Sequence, residues 1–137
     1  MRARVSPSTQ FGRAWFASVR TYVIEPQLVF ARYLEHMLAE AGFTVVATRD
    51  HIDGKDIAAH APAAVFVDLD FFDRGGPTAL CKIRQAMPSG ALIAYSNSED
   101  PTYAASCYIS GADAVISKQA GEERVLSNLR DAVLART

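Results

Sequence analysis

The sequence predicts an α/β fold: a doubly wound parallel sheet in which five strands alternate with five helices. Three observations carry that expectation. Short apolar runs recur from residue 21 onward, with a helical pattern after each of them. The connections between them are short, which favours a parallel sheet with helices on both faces. The run at 63–67 is apolar throughout, as a strand buried on both faces should be.

Taken in order, the first strand is expected over 22–24, Tyr22-Val23-Ile24. A helix follows over about 27–41, where Leu28, Ala31, Leu34, Leu38 and Ala41 keep three- and four-residue spacing, and Gly42 stops it. A second strand is read over 43–47. A weaker helix follows over roughly 51–59 and ends by Pro62. The third strand, 63–67, leads through the loop 70–76 to a helix at about 77–87 with Pro77 in its first turn. The fourth strand is expected over 91–95. Asp100-Pro101 opens the fourth helix, which Gly111 closes. The fifth strand covers 113–117, and a last helix over about 122–135 places Val125, Leu126, Leu129, Ala132 and Val133 on one face.

Residues 1–20 read as an N-terminal extension before a domain at 21–137. Ser6, Pro7, Ser8 and Thr9 suggest irregular chain, and Phe11, Trp15, Phe16 and Val19 could line one side of a short helix. The 137-residue chain is half apolar and about a fifth charged, enough for one real core. A net charge of −1 supplies no overall field for nucleic acid or an acidic membrane. Cys81 and Cys107 have no metal-site spacing and read as reduced thiols. No apolar run approaches a membrane span and the N-terminus lacks a signal-peptide core, so a cytoplasmic protein is expected.

The chemistry-bearing residues stand at four strand ends: Glu25, Asp68, Ser96 and Lys118. In a parallel α/β sheet, ligands bind outside the carboxyl ends of the strands, so these four can converge on one polar pocket. Singly, three of them have plainer readings. Asp68 could cap a turn, Lys118 could be a solvated lysine, and serine is common in loops.

Four stretches carry a family resemblance. The run 33–46 (YLEHMLAEAGFTVV) resembles the first helix and second strand of a response-regulator receiver domain. The run 67–76 (VDLDFFDRGG), continued by 79–84 (ALCKIR), is similar to that family's phosphorylation loop. The run 111–118 (GADAVISK) resembles its approach to a strand-end lysine. The resemblance implies a flavodoxin-like fold with strand order 2-1-3-4-5. It also implies a phosphoryl group accepted on Asp68 from a histidine kinase or phosphotransfer protein, with Lys118 and Ser96 contacting that group. A divalent cation, Mg2+, would be held by Glu25, Asp68 and the Asp70 backbone carbonyl. On this reading the chain is not an enzyme, beyond self-catalysed phosphotransfer and dephosphorylation at Asp68. Its output is a downstream protein target reached through helix four, strand five and helix five, a face that is also a candidate homodimer surface. Direct DNA binding is not expected.

The sequence departs from the family pattern in several places. Two adjacent acids usually follow strand one, and here they fall on Glu25 and Pro26. Proline offers no ligand atom, so metal binding is expected to be weaker than in a typical receiver. Val115 stands where a switch aromatic usually does, Asn97 replaces a small residue after Ser96, and Gln119 replaces a proline after Lys118. Asp70 adds a negative charge near the acceptor, which could repel phosphate or partly replace the missing carboxylate. These departures keep open a pseudo-receiver, an interaction module that works without phosphorylation. A flavodoxin-like enzyme or nucleotide-binding protein is disfavoured by the lack of GxGxxG, Walker or Ser/His/Asp patterns; His36, His51 and His60 are expected to be solvated.

Overall fold

The computed structural model describes residues 19–72 and 76–136. The expected leader contacts of Phe11, Trp15 and Phe16 lie outside the described residues, as do Asp73, Arg74 and Gly75 of the loop. The elements run β1 (Arg20–Ile24), α1 (Leu28–Glu40), β2 (Thr44–Arg49), α2 (Gly54–His60), β3 (Ala64–Asp68), α3 (Gly76–Ala86), β4 (Ala91–Ser96), α4 (Pro101–Ile109), β5 (Ala114–Ser117) and α5 (Glu122–Ala135). A short 3-10 turn, Leu69–Phe71, follows β3. All strand pairs are parallel, in the order β2-β1-β3-β4-β5. The flavodoxin-like α/β architecture expected from the sequence is therefore the one found.

The two-residue period of the strands splits the core into two layers. Val23, Phe66, Ile93 and Tyr95 face one side, where Leu34, Met37 and Leu38 of α1 and Val125, Leu129 and Val133 of α5 cover them. Tyr22, Ile24, Val65, Val67, Leu92 and Ala94 face the other, against Ile57 of α2, Leu80 and Ile83 of α3 and Cys107 of α4. Every residue of the inner strands β3 and β4 is buried. β2 and β5 are only partly covered, as edge strands are.

Local chemistry sets the boundaries. The Asp53 side chain accepts from the Lys55 and Asp56 amides and starts α2. Asp100 accepts from the Thr102 amide, and Pro101 opens α4 as the sequence suggested. Gly42 (φ 97°) and Gly111 (φ 118°) take the left-handed conformation that ends a helix where a side chain would be strained. β1 starts two residues before the expected strand, and Val19 is buried beside it.

Two local expectations are corrected. Leu28 does not join the inward face of α1 but is 67% exposed; the first helical turn lines an open cleft with Glu25 and Pro26, and Met37 takes a core position further along. His60 is not solvated. It is half-buried, its Nδ1 lies 2.8 Å from the Asp56 carbonyl, and its ring meets Tyr22 edge-on. Tyr22 draws it in because the phenol donates to Asp56, which also pairs with Arg49.

At the amino end of β4 and β5, Arg84 closes a polar clasp. Its guanidinium donates to the carbonyls of Met87, Gly90 and Gly111 and pairs with Asp113 at 2.8 Å. Asp113 also accepts from the Leu92 amide and from Arg136. One planar fork thus ties the end of α3 to two strand starts, which a point-charge lysine cannot do. Arg84→Met is expected to lower stability by about 2–4 kcal/mol, because it leaves the Met87, Gly90 and Gly111 carbonyls without their guanidinium donor and takes one of two cations from Asp113. Arg84→Lys should restore less than half of the loss. Urea denaturation of the three proteins checks both expectations.

Candidate functional site

The four strand-end residues named from the sequence lie at one end of the sheet. Glu25 follows β1 and continues its pairing, its amide donating to the Arg49 carbonyl at 2.8 Å. Asp68 is the last residue of β3, Ser96 the last of β4, and Lys118 directly follows β5. The Lys118 amide donates to the Ser96 carbonyl at 2.8 Å, so the lysine backbone is fixed by the sheet itself.

Lys118 is the hub. Its Nζ stands 2.7 Å from Asp68 Oδ2 and 2.8 Å from Asp70 Oδ2. Its side chain is only 16% exposed. Phe30 of α1, Phe71 of the 3-10 turn and Tyr95 of β4 surround the ammonium, with ring centroids at 5.7, 5.5 and 5.6 Å. Burial works against the ammonium, but the two carboxylates outweigh it and raise the Lys118 pKa above the ordinary lysine value.

Asp68 is fully buried. One carboxylate oxygen takes the lysine; the other accepts from the Asp70 amide at 3.0 Å. It therefore caps the 3-10 turn, as the plainer reading expects, and also pairs with the lysine ammonium. Asp70 turns its carboxylate to the donors of the β4 and β5 ends. Its Oδ1 accepts from the Ser96 hydroxyl at 3.0 Å, and both its oxygens lie 3.1 Å from the Asn97 amide. Burial opposes ionisation of Asp70, but Lys118, the Asn97 amide and Ser96 together hold its pKa below the usual value. Asn97 takes part through its backbone, and its side chain is exposed.

Glu25 is the anomaly. It is 2% exposed, and neither carboxylate oxygen has a hydrogen-bond partner. Burial, then the neighbouring Asp68, pushes its pKa up to about 8. Orphaned buried oxygens beside a second carboxylate fit a divalent cation, which would supply the missing partner. The fit is a lean one: among the described residues no group of three or more His, Cys, Asp or Glu side chains is arranged to hold a metal. Pro26 beside Glu25 supplies no further ligand.

The aromatic ring set around Lys118 was not anticipated from the sequence. Tyr95 carried a usable signal, since it precedes Ser96 and shares strand parity with Phe66 and Ile93. Phe30 and Phe71 carried none, because their approach to Lys118 depends on how α1 and the turn settle over the strand ends.

The chain is thus an open parallel α/β sheet with acids and a lysine gathered at its carboxyl edge. A model of the response regulator receiver domain matches residues 22–130, and the chain belongs to that family, a module of two-component signalling. Solved structures agree on the fold. A response regulator protein from Burkholderia pseudomallei, solved with a phosphorylated aspartic acid, a calcium ion and citrate, is 22% identical, with 86% of this chain and 70% of that one aligned and a TM-score of 0.73. A response regulator from Thermotoga maritima is 17% identical over 85% of this chain and 98% of that one, TM-score 0.73. A CheY-like receiver domain protein from Methanospirillum hungatei is 16% identical over 86% and 95%, TM-score 0.73. No curated protein matches the chain. Receiver domains are signalling modules, not ordinary enzymes, and they generally bind Mg2+ or a similar cation at their acidic site.

The state of Glu25 makes a pH dependence. Its folded pKa of about 8 lies above the ordinary 4.5, so the unfolded chain releases this proton first as pH rises. The contribution to stability is complete below pH 4.5 and is lost as pH climbs toward about 8. Glu25→Gln should remove that slope and, because glutamine cannot ionise, stabilise the metal-free protein at the alkaline end by about 1–3 kcal/mol, the scale of leaving a buried group charged and unpaired. Thermal unfolding in EDTA across this pH range provides the measurement.

Proposed function

We propose that this receiver accepts a phosphoryl group on Asp68 from the phosphorylated histidine of a histidine kinase or phosphotransfer protein. The observation that carries the reading is the 2.7 Å contact of Lys118 with Asp68, flanked by the Ser96 hydroxyl and the Asn97 amide. An Asp68 oxygen attacks phosphorus, the P–N bond to histidine breaks, and the imidazole leaves with the bonding pair. Lys118 then offers its charge to a phosphoryl oxygen, and Ser96 and Asn97 offer hydrogen bonds to others. Glu25, Asp68 and the Asp70 carbonyl would hold Mg2+, which supplies further charge neutralisation when bound. Metal binding requires Glu25 to give up the proton that burial favours, and Pro26 adds no second acid, so the affinity is weak.

The output on this reading is a protein partner, met at the face of α4, β5 and α5, where Tyr108, Val115 and Asn128 line an open groove. No helix among the described residues is long and apolar enough to cross a membrane, which accords with a cytoplasmic signalling role. Pro26 favours the second reading, a pseudo-receiver that recognises its partner without phosphorylation.

With acetyl phosphate and Mg2+, the protein should gain the mass of one phosphoryl group, and Asp68→Asn should abolish the gain. Lys118→Ala should slow phosphorylation by roughly a hundredfold, the scale of losing one preorganised charge contact. No mass change in the wild-type protein, with acetyl phosphate or a partner kinase, would favour the pseudo-receiver. Pro26→Asp should tighten Mg2+ binding at least about tenfold, because it adds a carboxylate beside Glu25. Calorimetric titration of the two proteins gives that ratio.

A further inference from the structure

The donors that would receive a phosphoryl group are engaged by a group of this chain. Lys118 Nζ, Ser96 Oγ and the Asn97 amide come from two strand ends and the β4–α4 connection, and all three meet the carboxylate of Asp70. Nothing nearer in sequence explains this meeting, because Asp70 lies 26 residues from Ser96 and 27 from Asn97. Three donors converging on one small anion is the arrangement of an anion subsite, not of a solvated surface acid.

We propose that the Asp70 carboxylate is a resident internal ligand of the phosphoryl subsite, which an incoming phosphoryl group must displace. The inference rests on the reading of Lys118, Ser96 and Asn97 as phosphoryl contacts, and it gives that site a regulatory element. The 3-10 turn supplies the aim. Asp68 caps the turn through the Asp70 amide, so the backbone that holds the acceptor also points Asp70 at the donors. The Asp70 side chain is 24% exposed, leaving it a solvated position to occupy when displaced.

Two consequences follow. Ser96 and the start of the β4–α4 connection are drawn toward Lys118 before any phosphoryl group arrives. In the resting protein the three donors are thus already gathered on one carboxylate. Occupancy by phosphate is also opposed, since the new anion gains the donors only as Asp70 gives them up.

The test separates this competition from the acceptor chemistry. In an Asp68→Asn background, where no phosphoryl group can be accepted, sulfate is titrated against the full chain with and without Asp70→Ala, following the Ser96 and Asn97 amides by NMR. Removing Asp70 should tighten sulfate binding at least about tenfold, the ratio expected when a competitor for a charge-assisted hydrogen bond is removed. In a second arm, the wild-type protein and Asp70→Ala are titrated with beryllofluoride and Mg2+, and the variant should saturate at a correspondingly lower concentration. Tighter sulfate binding with no beryllofluoride adduct in either protein supports the internal ligand and overturns the acceptor reading. Unchanged sulfate affinity overturns the internal ligand, whether or not a beryllofluoride adduct forms on Asp68. Such an adduct, forming equally well in both proteins, would leave the acceptor reading standing.

Discussion

One ammonium group organises the carboxyl edge of this sheet. Glu25, Asp68 and Asp70 bring three carboxyls to the neighbourhood of Lys118, and the lysine pairs with two of them at hydrogen-bonding distance. Buried like charges cannot all stay ionised with a single cation between them. The structure resolves the conflict unevenly. Asp70 has the cation and two further donors, whereas Glu25 has no hydrogen-bond partner and favours its proton. The aromatic rings of Phe30, Phe71 and Tyr95 keep the ammonium out of bulk water and so strengthen its pull on both partners.

The fold makes that pairing a consequence of strand geometry. β3 and β5 are both hydrogen-bonded to β4, which lies between them, so Asp68 and Lys118 reach across one intervening strand. Asp68 continues the parity of Phe66, and Lys118 that of Ile116, which places both on the α1 and α5 side beneath Phe30. The two-layer core holds these strands rigidly, and a displacement of β5 would be felt at the lysine. The Lys118 amide is itself bonded to the Ser96 carbonyl, so β4 and β5 share the anchorage of the lysine.

Much of this was legible in the sequence, and for identifiable reasons. Strands β3 and β4 are apolar up to their last residues, Asp68 and Ser96, so their burial on both faces was written in composition. Asp100-Pro101 and Gly111 marked the limits of α4 through capping and left-handed backbone, which are local properties. Glu25, Asp68, Ser96 and Lys118 were found because strand ends converge in parallel sheets whatever the loops do. The exposure of Leu28 was missed, because helical spacing alone cannot say which turn overhangs the sheet. The burial of His60 was missed too, since it depends on Tyr22 and Asp56, contacts that only the folded chain creates. Asp70 was recognised as an extra charge, but its direction was not readable. A side chain two residues past a strand can face the metal site or the phosphoryl donors, and the 3-10 turn decides between them.

Everything at this edge depends on Lys118 being held jointly by Asp68 and Asp70 within a ring of aromatics. Nitrogen-detected NMR of the lysine side chains reads this directly. The expected result is a Lys118 ammonium whose protons exchange slowly, which stays charged above the ordinary lysine pKa, and whose resonance moves when either Asp68 or Asp70 is changed to Asn. A Lys118 signal that exchanges and titrates like the solvent-exposed lysines, and that ignores Asp70→Asn, would contradict it.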